Sequence, residues 1–202
     1  MRRSLNPKRQ AILDAARQVF LTHGYSGARM ETIAETAPVS KPTLYSHFGS
    51  KHELFAAVIA DQCDSLLSTL SDAPLAMPEP ADGLKTIAAA FVDLLYAEDS
   101  LALYRLLIAE QQHFPELGSQ VYAASAEPAI QLLSRYLAEL QARGHIHLDD
   151  PDTASQLLLG MLKGVPHFRC LLGLQPGLSA DEKQQLIDSA VRLFLLGHSH
   201  VV

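Results

Sequence analysis

Apolar residues recur at helical spacing along almost the whole chain, and no segment shows the strict alternation that an exposed strand requires. The first apolar stripe runs from Asn6-Pro7, a typical helix start, to His23-Gly24, a typical helix stop. The chain is therefore predicted to be all-α. The residues of this first stripe are Ile12, Ala15, Ala16, Val19 and Phe20.

Two short helices are predicted next, from Met30 to Ala37 and from Lys41 to His47, with a break between them. A small residue inside the first helix permits close approach of the second, which is typical of a helix-turn-helix. Packing of the pair would use Ile33, Ala34, Val39 and Leu44, and it would leave most of the second helix exposed.

Ser50 and Glu53 form an S-x-x-E capping box that opens a longer helix over residues 51–72. Residues 73–83 contain three prolines and a glycine, which predicts a connection. Further helical patterns follow at about 84–98, 100–113, 115–143 (kinked or split at Pro128), 151–172 and 180–197. The last two are predicted to start at Asp150-Pro151 and at Ser179.

Charged residues are distributed unevenly along the 202-residue chain, although the composition (48% hydrophobic, 19% charged) is ordinary for a globular protein. Residues 1–55 carry eight Lys/Arg and four Asp/Glu, a net of +4, and the remainder carries eight and 18, a net of −10. A basic N-terminal part in an acidic protein predicts that this part alone faces a polyanion. No signal peptide or membrane span is recognisable, and the two distant cysteines fit a reducing compartment, so a cytoplasmic location is expected.

The second short helix carries the groups that would contact DNA. Ser40 is the predicted N-cap, and Pro42 lies in the first turn, so the helix start faces outward as a phosphate site. Lys41 can reach a base edge or a phosphate, and Thr43 offers a hydroxyl and a methyl group. Three more residues are predicted to contact the phosphate backbone: Tyr45, His47 and Lys51.

The segment METIAETAPVSKPTLYSHFGSKHELF is very similar to the DNA-binding signature of the TetR family of bacterial transcription regulators, and the match is continuous over about residues 9–55. The resemblance implies an N-terminal three-helix DNA-binding domain, residues 1–50, and a larger helical effector-binding and dimerisation domain, residues 51–202. Residues 51–72 would connect the two. In the family, residues at the positions of Lys41, Pro42 and Thr43 read bases.

The chain departs from the family pattern at two places. Glycine usually stands where this chain has Pro38, so either the turn differs locally or the preceding helix ends about one residue early. Thr or Ser usually starts that helix, where this chain has Ala28-Arg29. Arg29 is expected to contact phosphate ionically, with Thr32 as a second candidate. Arg2, Arg3 and other N-terminal basic residues form either a minor-groove arm or a frayed tail.

The last two helices are apolar over a wider angle than one buried stripe needs, which predicts a four-helix interface with a second copy. Packing within the monomer is the alternative for any single residue. The predicted interface residues are Leu157, Met161, Gly164, Leu172, Leu186, Val191 and Phe194.

The middle helices supply apolar and aromatic residues with polar tips, which is the usual composition of a small-molecule pocket. Ordinary core packing is the alternative, and the absence of a basic cluster favours a neutral or cationic apolar ligand. The candidate pocket residues are Phe91, Tyr96, Leu103, Tyr104, Leu107, His113, Phe114, Tyr122, His167 and Phe168.

Two His-x-His pairs, His145/His147 and His198/His200, raise the possibility of zinc, but both lie in loops or a terminus, and no metal or other cofactor is predicted. No catalytic motif is recognisable. The sequence therefore predicts a dimeric regulator, most simply a repressor released from a palindromic operator by a small apolar effector. Two alternatives stay open: a DNA-binding architectural protein without effector, and a ligand carrier or enzyme with a vestigial helix-turn-helix.

Overall fold

The computed structural model describes residues 7–71 and 79–198, except the side chain of Ser65, and within these residues the chain is helical without strands, as predicted. Arg2, Arg3, Asn6, most of the 73–83 connection and His200 lie outside the described residues. The described helices are α1 (Pro7–Gly27), α2 (Met30–Thr36), α3 (Lys41–His47), α4 (Lys51–Ser71), α5 (Pro80–Leu95), α6 (Glu98–Glu110), α7 (Pro115–Val121), α8 (Glu127–Ala142), α9 (Pro151–Leu171) and α10 (Ala180–His198).

Helix ends follow the predicted capping residues. Gly24 leaves helical geometry with φ 70°, where the first stop was expected. The Asp150 carboxylate accepts hydrogen bonds from the amides of Asp152 and Thr153 at the start of α9. Ser179 and Glu182 form a reciprocal capping box at the start of α10.

α2 ends at Thr36, one residue earlier than the hydrophobic pattern indicates, as Pro38 led us to expect. The amide of Val39 donates to the carbonyl of Ala34 at 3.0 Å, the 6→1 bond of a Schellman turn. The intervening position of such a turn requires positive φ, and Pro38 accordingly has φ 20°. A proline ring favours φ near −65°, so this turn is strained.

Two prolines shape the C-terminal half. A π-helical turn, Tyr122–Ala126, separates α7 from α8 just before Pro128, which confirms the predicted split. α9 breaks at Gly164, where φ is 47°, two residues before Pro166. The Tyr96 hydroxyl donates to the carbonyls of Leu162 and Lys163, at 3.2 and 2.8 Å, beside this break.

The described residues fall into two compact units. Unit 1 combines residues up to 62 with residues 102–125, and unit 2 combines residues 63–101 with those from 126 onward. This division differs from a boundary at residue 50, because α6 and α7 add Leu103, Leu117 and Val121 to the core around α1–α4.

The core of unit 2 is formed mainly by α5, α8, α9 and α10, and Leu66 and Leu70 of α4 and Leu101 of α6 add to it. No helix among the described residues is long and apolar enough to cross a membrane. The largest side chains of this core include Leu84, Ile87, Phe91, Leu133, Tyr136, Leu158 and Phe194.

Candidate nucleic-acid interface

α3 is attached to unit 1 through a single fully buried side chain, that of Leu44. Lys41, Pro42 and Tyr45 are exposed, and Thr43 and His47 are half-buried. Of the six remaining residues of this seven-residue helix, four are exposed, Ser46 among them, and two are partly accessible, which suits insertion into a major groove.

Ser40 is the N-cap of α3, as predicted, and its hydroxyl accepts a hydrogen bond from the Thr43 amide at 3.3 Å. The Ser40 and Thr43 hydroxyls are also 2.8 Å apart. This bond fixes the Thr43 rotamer, so its hydroxyl already has a partner while its methyl group is available for an apolar contact. Pro42 occupies the first turn, where its missing N–H costs no helix bond.

The Lys41 ammonium lies 3.1 Å from the Glu31 carboxylate, and about half of each side chain is exposed (55% and 48%). Glu31 lies in the first turn of α2, so the ion pair joins the two helices of the helix-turn-helix. The pKa of Glu31 is lowered by its own backbone N–H and by Lys41. Sequence reasoning missed Glu31, because residues ten apart in different helices show no local pattern.

Arg29 takes the N-cap position of α2 with no side-chain capping bond and remains exposed. Thr32 is half-buried, and its carbonyl accepts the Thr36 hydroxyl at 2.8 Å. No side-chain hydroxyl therefore caps this helix start, where the family usually has Thr or Ser. Arg29 is free to extend towards solvent, and Thr32 stays partly accessible, like Thr43.

Lys51 was predicted to contact phosphate, and the structure corrects this prediction. Its ammonium is turned inward and donates to the carbonyls of Tyr25 and Ala28, at 2.8 and 3.2 Å. It also lies 4.6 Å from the centre of the Tyr25 ring, and burial lowers its pKa. Carbonyl groups in the last turn of a helix and just beyond it lack helical partners, and the ammonium satisfies two of them at the end of α1.

The capping box at the start of α4 is present, but the Glu53 carboxylate accepts from the amide of Gly49 and not from that of the capping residue Ser50. The Glu53 amide donates to the Ser50 hydroxyl at 3.2 Å, and the Glu53 carboxylate accepts from the Gly49 amide at 3.1 Å.

The guanidinium of Arg9 lies 5.3 Å from the centre of the Phe48 ring at the end of α3. This cation–π contact supports the end of α3, and no sequence signal indicated it.

Residues 102–125 contact α1 and α4, the helices that flank the helix-turn-helix in unit 1. The Glu110 carboxylate accepts from the hydroxyl and the amide of Ser26, at 2.8 and 3.3 Å. His52 Nε2 and the Glu116 carboxylate are 3.0 Å apart. Phe114 packs edge-on against Tyr25, with ring centres 5.1 Å apart. A segment distant in sequence therefore helps to hold α1 and α4 in place.

The ten candidate pocket residues do not converge on one described cavity. In unit 1, Leu103 is buried and Leu107 and Phe114 pack on its core, while Tyr104, His113 and Tyr122 are exposed. In unit 2, Phe91, Tyr96 and His167 are buried, and Phe168 is 60% exposed. A cavity of about 590 Å³ in unit 2 is lined instead by Ala81, Lys85, Asp188, Ser189, Val191, Arg192, Leu195 and Leu196.

The interface prediction is wrong for Val191 and Phe194. These two residues lie in the monomer core, where they are 1% and 2% exposed. The stripe pattern on α10 could not tell which apolar side the core uses. Leu157 and Leu172 are exposed, and Met161 and Leu186 are half-buried. Further exposed apolar side chains on or beside these helices are Val165, Phe168, Leu174, Leu193 and Leu196.

Histidines from the two His-x-His pairs are near each other in the backbone, since the His147 amide donates to the His198 carbonyl at 2.9 Å. The His198 ring nitrogen Nδ1 is 2.7 Å from the Phe194 carbonyl. Among the residues that the structure describes, no group of three or more His, Cys, Asp or Glu has the arrangement of a metal site.

Comparison with known proteins relates both halves of the chain to one family. Residues 12–58 match the bacterial regulatory proteins of the tetR family, and residues 82–197 match the C-terminal domain of AefR-like transcriptional repressors. The transcriptional activator FasR of Mycolicibacterium smegmatis is 35% identical over 133 residues, which cover 63% of this chain and only 59% of FasR.

Solved structures agree with this relationship. A TetR-family regulator from Mesorhizobium loti is 30% identical, with a TM-score of 0.80, over 96% of this chain and 97% of the other. The flavonoid-responsive regulator FrrA is also 30% identical, with a TM-score of 0.77, over 96% of this chain and 98% of FrrA. The chain belongs to the TetR family of bacterial transcription regulators.

Proposed function

We propose that the chain is a homodimeric, cytoplasmic regulator that binds a palindromic operator and releases it when a small apolar effector binds. The observation that supports this most directly is the exposure of α3, which is anchored by Leu44 and leaves Lys41, Pro42 and Tyr45 in solvent. Two such helices in a dimer would enter successive major grooves about 34–36 Å apart.

Within one half-site, Lys41 and the Thr43 methyl are proposed to contact base edges, because they lie in the first turn of α3. Tyr45, His47 and Arg29 are proposed to contact phosphates, and the Ser40 cap fixes the start of the helix. Lys51 is no longer included, because its ammonium is bonded to the Tyr25 and Ala28 carbonyls.

The dimer is proposed to form through α9 and α10. Exposed apolar residues on these helices include Leu157, Val165 and Phe168, which are 58%, 71% and 60% exposed in the single chain. Such residues are costly in water and form the core of typical homodimer interfaces. The revised interface set is Leu157, Met161, Gly164, Val165, Phe168, Leu172, Leu186, Leu193 and Leu196.

Effector response is proposed to reach the DNA-binding helices through residues 102–125. These residues contribute Leu103 and Leu117 to the core of unit 1, and their carboxylates on Glu110 and Glu116 contact Ser26 and His52. A displacement of this segment would disturb α1 and α4, and a coupling of about 1–3 kcal/mol suffices for regulation. A small-molecule effector is supported by FrrA, which is named for its response to flavonoids, a class of aromatic small molecules.

Repression is proposed because the C-terminal half matches the AefR-like repressor domain, although FasR is described as an activator. A selection of duplexes from a random-sequence pool, followed by anisotropy measurements, tests DNA binding. We expect recovery of a palindrome, weaker binding and altered selection for Lys41→Ala, and unchanged selection for Lys85→Ala, a lysine of unit 2. Recovery of no sequence would refute the proposed function.

A further inference from the structure

Glu31 lies where a DNA-binding surface is expected to be positive. Its carboxylate is 3.1 Å from the Lys41 ammonium, and both side chains are about half exposed. Glu31 is in the first turn of α2 and Lys41 begins α3, so this anion belongs to the same surface as the exposed side chains of α3.

A carboxylate at this position affects different DNA contacts unequally. It competes with phosphates for the Lys41 ammonium, so a phosphate contact of Lys41 must displace it. A base-edge acceptor is different, because an ammonium group has three N–H donors and can bond guanine O6 or N7 while still facing Glu31. Contacts with phosphate alone are therefore disfavoured more than contacts with the correct base.

We propose that Glu31 is a positioning residue for sequence selection. It holds the Lys41 ammonium and weakens non-specific binding more than operator binding. This inference rests on the proposed DNA-binding function and adds to it a residue that lowers affinity in order to raise selectivity. Glu31 acts through Lys41, so its effect must disappear when Lys41 is replaced.

The test compares Glu31→Gln with Glu35→Gln, a matched control on the same helix. Glu35 is exposed, and its replacement removes the same charge. Binding is measured by anisotropy on a duplex that the wild-type protein selects from a random pool and on a shuffled duplex of equal composition. Salt is varied between about 50 and 200 mM, because phosphate contacts are read from the salt dependence.

For Glu31→Gln we expect about two- to fivefold tighter binding to the shuffled duplex, the range of an exposed ion pair. The slope of log affinity against log salt on that duplex should steepen by about 0.9, as one added phosphate contact does. The affinity for the selected duplex should change less, so the ratio of the two affinities, which measures selectivity, should fall. Glu35→Gln should leave selectivity unchanged, and so should Glu31→Gln in a Lys41→Gln background.

A measurement without DNA checks the ion pair itself. By NMR, the Glu31 carboxyl should titrate at lower pH in the wild type than in Lys41→Gln. Equal titration in both proteins, or equal selectivity for Glu31→Gln and Glu35→Gln, would overturn the inference while leaving DNA binding intact. A wild-type protein that selects no duplex would overturn the proposed function and this inference together.

Discussion

The Lys51 ammonium donates a 2.8 Å hydrogen bond to the carbonyl of Tyr25 and lies 4.6 Å from the centre of the same residue's ring. Lys51 is the first residue of α4, and Tyr25 follows the Gly24 break of α1. The contact therefore ties the end of one helix to the start of another. A lysine with its charge directed into its own chain contributes to folding more than to DNA affinity.

Replacing Lys51 by Met should lower the free energy of unfolding by about 1–3 kcal/mol, because two charge-assisted hydrogen bonds are lost while the apolar stem remains. Urea denaturation followed by circular dichroism measures this change. Lys41→Met, which removes an exposed ion pair, should cost less than about 1 kcal/mol. Equal losses for the two variants would contradict the inward role of Lys51.

Pro38→Gly should stabilise the helix-turn-helix, because Pro38 has φ 20° in a turn that suits glycine. Glycine also restores an N–H, and the relief of strain should exceed its entropic cost, for a net gain of about 1 kcal/mol. The midpoint of thermal unfolding reports the change. Pro42→Gly is the control, since Pro42 lies in a compatible first turn and its replacement should destabilise by about 0.5–1 kcal/mol.

Local signals in the sequence predicted the helix ends well, because caps involve residues close in the chain. Ser40 with Thr43, Asp150 with Thr153 and the early end of α2 before Pro38 are examples. The exposed face of α3 also followed from spacing, since Leu44 was the one residue of this helix assigned to packing.

Features that depend on distant residues could not be predicted. Lys51 received a phosphate role because nothing near it in sequence shows the carbonyls of Tyr25 and Ala28. Phe194 was assigned to the dimer interface because periodicity identifies an apolar face without its partner. Phe114 was assigned to a pocket, whereas it packs on Tyr25.

Tyr96→Phe should destabilise unit 2 by about 1–2 kcal/mol. Pro166 has no N–H to donate to the Leu162 carbonyl, and the Tyr96 hydroxyl donates to the carbonyls of Leu162 and Lys163 instead. Phenylalanine keeps the buried ring but leaves these carbonyls unsatisfied. Hydrogen exchange at the α9 amides measures the loss, and Tyr104→Phe, at an exposed site, should have no comparable effect there.

His167 should make stability fall in acid. Burial and, secondarily, the nearby Lys163 charge lower its pKa to about 4, so the folded state disfavours the proton that the unfolded state binds near pH 6.5. Its contribution is complete above pH 6.5 and is lost as the pH falls towards 4, by about 1–3 kcal/mol. The midpoint of urea unfolding should depend less on pH between these values in His167→Gln than in the wild type. An equal dependence on pH in both proteins would contradict this assignment.

Val165→Asp should convert the proposed dimer into a monomer. Val165 is 71% exposed on α9, so the substitution leaves the monomer core intact, but a carboxylate buried between two apolar helices would cost several kcal/mol at each of two symmetry-related sites. Sedimentation equilibrium measures the mass, and circular dichroism checks that the helices persist. Ile108→Asp is the matched control, because Ile108 is 56% exposed on α6, outside the proposed interface.

The same variant separates dimerisation from DNA reading. A monomer keeps α3 unchanged and should retain weak binding to a single half-site, whereas its advantage on a duplex with two half-sites should disappear. If Val165→Asp stays dimeric while Ile108→Asp dissociates, the subunits associate through α6 and not through α9 and α10. Unchanged binding of a monomeric Val165→Asp to the full duplex would instead show that the recognition helices act independently, against the proposed palindromic operator.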